Sequence, residues 1–400
     1  MVETGSRTFW RGTIALVIGS FMVFANVYVT QPLLPMIANE FQVSALQASA
    51  SFTITTLTLG VSLLFYGPIS DAFGRKGLMV MTLLGVTCTT YALSVVNSFE
   101  TLLLLRGLQG FFLAGLPAIA VAYLGDEYRP EALMVAVGLY ISGNTLGGIG
   151  GRLTGGFVGE WMGRSAAFAA MAGISFVFLI AFIVLLPSSK QFESKPLKWS
   201  LIISNMLGHL SNRRLLAAYF IGGLSFFVFI NQYSYITFRL EAEPYHLSSQ
   251  YIGLLFLTYL AGTVGSAISG RLAQRLAQPY IMVVGTVIFM LGSVITLSAH
   301  LEVILCGLAI NCFGFFLCHS TASSFVSRNA KYAKASASSL YLVCYYLGGS
   351  MGGYYLDPFW RTDHWQGVII GSLIVLAMVV LAGVSLVRLH QANGFNTVPK

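Results

Sequence analysis

The sequence predicts an all-α membrane protein in which twelve transmembrane helices form two pseudo-symmetric six-helix bundles. Three observations carry that expectation. The chain is 56% hydrophobic and only 9% charged, whereas soluble domains run near about 25% charged. Twelve apolar runs are each long enough to cross a hydrocarbon core of ~30 Å as a helix. The first half of the chain also recurs, degraded but in order, in the second half.

The runs fall at about 12–38, 47–69, 78–97, 101–124, 132–157, 165–187, 213–238, 249–270, 279–299, 302–326, 335–356 and 366–388. The first follows Arg7 and Arg11 but is too long for a signal-peptide core, so it reads as an uncleaved span. Between the second and third lies a charged hinge, 67–79 (GPISDAFGRKGLM). So short a connection makes its two helices antiparallel neighbours. Gly67 is expected to let backbones approach and Asp71 to sit at the positive N-terminus of the next helix. Arg75 and Lys76 read as a cytoplasmic anchor. One long polar interruption, 188–212 with Lys190, Glu193, Lys195 and Lys198, divides the chain. The expected domains are a bundle at 1–187, a cytoplasmic linker at 188–212 and a bundle at 213–400. With the N-terminus cytoplasmic, cytoplasmic segments hold 17 of the 22 Lys and Arg and the opposite loops 3, so both termini are expected inside. The net charge of +8 is spread over helix ends, which fits a lipid surface rather than nucleic acid. The five cysteines all fall in apolar runs without C-x-x-C spacing and read as small buried hydrophobes.

Five matches establish the repeat. Phe24-x-Asn26-x-Tyr28 recurs as Phe229-x-Asn231-x-Tyr233, and the hinge Gly67…Asp71…Gly74-Arg75 recurs as Gly270…Gln274-Arg275. Gly110-Phe-Phe-Leu113 recurs at Gly314, Leu146-Gly147-Gly148 at Leu347, and Trp161-x-Gly163 at Trp365. All lie at offsets between 201 and 205. A six-helix unit has been duplicated.

The hinge pattern G-x-x-x-D-x-x-G-R-K, placed after the second span, resembles the signature loop of the major facilitator superfamily. Leu102-x-x-x-Arg106-x-x-Gln109-Gly110 resembles the fourth-helix motif of its drug–proton antiporters. The glycine run 147–152 (GGIGGR) resembles their fifth-helix motif but lacks its proline. Segments 138–144 (GLYISGN), 319–324 (HSTASS) and 337–342 (ASSLYL) look like the YnfM-type bacterial inner-membrane carriers. The resemblance implies the major facilitator fold and alternating access. It also implies a cytoplasmic gate made of Gly67, Asp71, Gly74, Arg75 and Lys76 with Asp126 and Glu127 at the end of helix 4. Gln274 and Gln278 stand where the second hinge would carry its acid and its base, so the charged gate is expected in the N-terminal half alone.

Polar side chains in the middle of a span are costly and mark functional positions. Asn26, Tyr28 and Gln31 in the first span, with Asn231, Gln232 and Tyr233 in the seventh, are expected to line one substrate site. Gln109, Tyr140, Asn144, Asn311, Tyr341, Tyr345 and Tyr346 are further candidates. Such a site is neutral and aromatic, suited to an amphipathic or polyhydroxylated molecule. Arg106 lies about one turn inside its span, within reach of the surface. The motif resemblance gives it a role in proton coupling, with Glu40 as partner. Arg152 stands closer to its helix end and reads as a snorkelling residue. His319 is the one histidine well inside a span, with an ordinary pKa near about 6.5. No Asp or Glu lies at mid-membrane, so any coupling is left to Arg106, His319, Glu40 or the hinge acids.

The expected function is secondary active transport of a small organic compound across a bacterial inner membrane, with proton-coupled efflux implied by the resemblance. Uptake or facilitated diffusion of a sugar or other small metabolite is the alternative. An enzyme is disfavoured, because no HExxH, P-loop or clustered His and carboxylates appear. The expected partners are a small-molecule substrate, protons and the bilayer. Neither metal nor cofactor is expected, and the chain reads as a monomer.

Overall fold

A computed structural model describes residues 1–194, 196–197 and 199–392. Lys195 and Lys198 of the linker and the C-terminal residues 393–400 lie outside the described residues. The described chain is helical throughout apart from short turns and one isolated bridge, Val2 to Tyr128. Its contacts divide it into two compact units, Met1–Leu197 with Leu240–Phe256, and Lys198–Arg239 with Leu257–Lys400.

The first unit contains α1 (Arg7–Tyr28), α2 (Leu34–Phe41), α3 (Ala45–Phe73), α4 (Arg75–Ser94), α5 (Phe99–Leu113), α6 (Gly115–Glu127), α7 (Pro130–Leu185) and α10 (Ser249–Leu255). The second contains α8 (Trp199–Leu210), most of α9 (Arg213–Glu241), α11 (Tyr259–Leu272), α12 (Gln278–Ile295), α13 (Leu301–Asn329) and α14 (Lys334–Ala392). Among the described residues ten helical stretches are long and apolar enough to cross a membrane, and two of them are 56 residues long. A 56-residue helix would run about 84 Å, far more than one ~30 Å crossing requires. Each of the two is broken. Gly163 has φ 83° and ψ 171° in α7, while Asp363 and His364 are non-helical in α14. The chain doubles back at both places. Gly151 and Ser175, on either side of the α7 break, both meet α1 at Ala25 and Asn26. Tyr355 donates to the Gly371 carbonyl across the α14 break. Each long helix is therefore a pair of spans, which gives twelve.

Local chemistry sets the breaks. Ser44 and Gln47 form a reciprocal capping box at the start of α3, and Ser6 and Ser98 cap α1 and α5. The expected first span, 12–38, is interrupted. Pro32 has no N–H to give, so α1 stops at Tyr28 and resumes through a 3-10 turn, Gln31–Leu33, into α2. The linker carries α8, which composition did not reveal.

Close packing explains the glycines. Gly143, Gly147, Gly151 and Gly155 recur every four residues on α7. A Cβ at any of them would strike the carbonyl oxygens of Val17, Phe21, Ala25 and Val29 in turn, also four apart along α1 and its C-terminal cap. Two helices are thus held at backbone contact, the small-residue packing that bilayers favour. The second unit repeats it, with Gly348 and Gly352 against the carbonyls of Gly223 and Phe227. The hinge differs from expectation. Gly67 faces open space, and the glycine the backbone requires is Gly74, at φ 107°.

Gly151→Leu should separate α1 from α7 and lower the melting temperature sharply, overpacking of this kind costing about 1–3 kcal/mol or more. Gly138, with open space around its Cβ position, should accept Ala with unchanged or raised stability. Melting of the two purified variants beside the parent checks the contrast.

Candidate functional site

At one end of the first unit, Arg75 opens α4 and is 6% exposed. It pairs with Asp71 at 2.5 Å and Asp126 at 2.9 Å, and donates to Ser70 Oγ at 2.7 Å. Asp71 lies in the last turn of α3, so it serves Arg75 and not the N-terminus of α4. Lys76 donates to the carbonyls of Ile183 and Leu186 at the end of α7. The buried Glu127 carboxylate accepts the backbone N–H groups of Lys190 and Gln191. The seven hinge candidates therefore separate into one ion cluster, one clamp on the end of α7 and one on the segment after it, and two glycines.

Deeper in the same unit, Arg106 is wholly buried. Its guanidinium donates to the carbonyls of Ser51 (3.0 Å), Asn26 (3.1 Å) and Val27 (3.1 Å), and to Gln109 Oε1 (2.5 Å). The break after Tyr28 leaves the last carbonyls of α1 without helical partners, and Arg106 caps that negative end from α5. Asn26 is also fully buried. Its amide donates to Met22 O and Ser175 Oγ, and its oxygen accepts from Thr90 and Gln109. Gln109 in turn donates to Thr90 at 2.7 Å.

Arg152 is 1% exposed and its guanidinium lies between the rings of Tyr28 (3.9 Å) and Phe256 (4.4 Å). It donates to Gln31 Oε1 at 2.8 Å and Gly148 O at 3.0 Å. At the α7 break, Arg164 makes a bidentate pair with Glu40 and also donates to the carbonyls of Leu93 and Val96.

The second unit holds a matching triad on α9, α12 and α13. Gln232 Oε1 accepts from Ser293 (3.1 Å) and Asn311 (2.8 Å), and Asn311 donates to Ser293 Oγ (2.9 Å). The Tyr233 hydroxyl meets Thr258, Leu308 O and Cys312. Asn231 donates to the carbonyls of Phe227 and Gly349. Half-buried His319 is enclosed by aromatic rings, stacked on Phe315 and 4.6 Å from Tyr345, with Tyr341 Oη 2.9 Å from Nδ1.

The sequence profile of the Major Facilitator Superfamily matches residues 16–353. The chain belongs to this superfamily. It is 37% identical over 380 residues to the MFS-type transporter YybF of Bacillus subtilis (strain 168), covering 95% of this chain and 94% of that one. It is 36% identical over 390 residues to the inner membrane transport protein YnfM of Escherichia coli (strain K12), covering 98% and 93%. Its fold matches the inward-facing, unoccupied crystal structure of a bacterial homologue of the human lysosomal transporter Spinster. That match has a TM-score of 0.77 at 15% identity and covers 96% of this chain and 99% of that one.

Within this superfamily fold, several expected roles are corrected. Arg106 does not snorkel, because four neutral acceptors hold it inside the bundle. Glu40 is not its partner; that carboxylate pairs with Arg164. Arg152 is no surface anchor either. The helix expected to end near 157 continues to the break at Gly163, which leaves Arg152 eleven residues deep. Asn26 offers no spare polar atom to a cavity, since neighbours within its own bundle occupy its oxygen and both amide hydrogens. Asn144 accepts from Ser20 on α1, and the backbone oxygen of buried Tyr140 accepts from the same hydroxyl. Tyr346 lies edge-on to Phe226, on which Tyr345 stacks at 3.8 Å. Sequence reading missed Thr90, Ser293, Arg164 and the buried Asp357, which pairs with Arg361. The glycine run ahead of Arg152 was the available signal, since a stripe packed at backbone contact buries its neighbours.

Asn26→Ala should therefore lower thermal stability more than Asn144→Ala, the network having four bonds at the first position. Both should insert normally. Melting curves in lipid nanodiscs check the order.

Proposed function

We propose that this chain carries a small organic compound across the bacterial inner membrane by alternating access, exporting it as protons enter. Both termini lie in the cytoplasm in this reading. Residues 1–187 and 213–400 act as the two bundles, 188–212 is the linker, and a single chain is the working unit. Resemblance of the Leu102–Gly110 segment to the drug–proton antiporter motif supports export.

The observation that carries the coupling is the setting of His319. It is the one side chain deep in a span whose ordinary pKa lies near neutrality. Its Nδ1 meets Tyr341, while Nε2 has no protein partner among the described residues. Tyr345 and Phe315 wall it with aromatic surface. A proton taken up at Nε2 would turn a neutral aromatic patch into a cation, which changes what that patch binds. Arg106 plays a different part. Bound to helix-end carbonyls, it is a fixed positive charge rather than the proton carrier. In the second unit Tyr341 and Tyr345 supply substrate contacts; in the first, Tyr28 and Gln31 do.

Proteoliposomes loaded with a pH-sensitive dye test the reading. A panel of small aromatic acids, amides and amines is added outside. A transported compound should make the lumen more alkaline as it enters and protons leave. His319→Phe should abolish that proton movement while the protein stays folded. Compound uptake with no proton movement in the parent would contradict coupling and favour facilitated diffusion.

A further inference from the structure

Three buried arginines of the first unit are treated differently by their surroundings. Arg106 is spent on the open end of α1, and Arg164 on the carboxylate of Glu40 and the end of α4. Among the contacts of Arg152 are two neutral oxygens and the faces of two rings. Eleven residues separate it from Gly163, about 16 Å along a helix axis, roughly the half-thickness of a hydrocarbon core. A guanidinium at that depth is costly, and its presence marks a functional position.

Gln31 supplies the second observation. Its side chain is fully buried, and its oxygen is committed to Arg152 Nε, which fixes the orientation of the amide. The amide nitrogen, Nε2, then has no hydrogen-bond partner among the described residues. A buried donor left unmade is costly. The local groups are thus donors: a guanidinium and an unmet amide N–H, bordered by Tyr28 and Phe256. Such a site asks for an acceptor, and next to a positive charge the best acceptor is an anion. The flanking rings favour a flat apolar body behind it. A cation would be repelled.

From this we infer that Arg152 and Gln31 form an anion subsite, and that the substrate is a small aromatic or similarly flat molecule bearing one carboxylate or equivalent oxyanion. This names the substrate class for the transport reading above and rests on it. It also reverses the expectation of a neutral site, which followed from placing Arg152 at the membrane surface. Gly148 belongs to the design. A Cβ there would stand in ordinary contact, 3.4 Å from both Arg152 Nη1 and the Tyr28 ring, so a longer side chain would crowd the space between them.

The test uses the full chain in nanodiscs, with benzoate as probe and benzamide as its neutral counterpart at matched ionic strength. Benzoate should raise the melting temperature and benzamide should not. Gln31→Glu places a carboxylate beside Arg152 at nearly unchanged shape. It should keep or raise the basal melting temperature while weakening benzoate about tenfold or more. Gly148→Leu should weaken benzoate without Gln31→Glu's change of charge. The inference is overturned if benzoate gives no shift, if benzamide matches it, or if Gln31→Glu binds benzoate as the parent does. The two readings fail separately. Proton-linked flux of neutral compounds alone would leave transport standing and remove the anion subsite. Benzoate binding that Gln31→Glu abolishes, with no compound transported, would leave the subsite and remove the transport reading.

Discussion

The constraint on which this structure most depends is that helix ends inside or beside a bilayer cannot leave their last carbonyls to water. Arg106 shows the solution most fully. Pro32 ends α1 early, the carbonyls of Asn26 and Val27 are left open, and a guanidinium from α5 closes them. The same device recurs. Arg164 takes the carbonyls of Leu93 and Val96 at the end of α4, Arg239 those of Thr296 and Ser298 after α12, and Lys76 those of Ile183 and Leu186 at the end of α7. Each cation comes from another helix, so each cap is also a tie between helices. The negative end of the helix dipole offsets part of the cost of burying the charge. This explains how Arg106 lies fully buried on neutral acceptors alone.

Closing α1 at Tyr28 has a consequence one turn further on. The 3-10 turn Gln31–Leu33 points Gln31 at Arg152, and the end of α1 lays the Tyr28 ring over the same guanidinium. The glycines of α7 at 143, 147, 151 and 155 bring its backbone against α1, which puts Arg152 within reach of both. Two ordinary packing rules, small residues for close approach and proline for a break, thus bring a guanidinium, an amide and two rings together. The second unit follows the repeat without the charge. Its triad of Gln232, Ser293 and Asn311 lies on the helices that correspond to those of Asn26, Thr90 and Gln109, with Gln232 one position past Asn231, the counterpart of Asn26, and no arginine among the described residues bonds to it. Its candidate groups are His319 and the tyrosines around it.

Much of this was legible in the residues. Twelve spans, their duplication and the ionic hinge follow from hydropathy, offsets and the short GRK loop, because these are properties of one stretch or of two stretches compared. Partners were not legible. Asn26 bonds to Ser175, Arg164 to Glu40 and Arg75 to Asp126, across separations of 149, 124 and 51 residues, and periodicity says nothing about which helix faces which. Depth was the other loss. Ending the fifth span near 157 rather than at Gly163 moved Arg152 by two turns, from mid-membrane to the surface. The hinge misled in a smaller way, since Gly67 and Gly74 look alike in sequence and only the second has a backbone that requires glycine.

The central claim is that the Arg106 guanidinium closes the end of α1 and so sets the Tyr28–Gln31 segment in place. Hydrogen exchange of the nanodisc-embedded protein, compared with Arg106→Gln, tests it most directly. The account predicts a loss of protection confined to residues around 26–33 and the turns of α3 and α5 that contact them, with the remaining spans unchanged. Unchanged protection at 26–33 would contradict it, and so would uniform loss throughout the first unit.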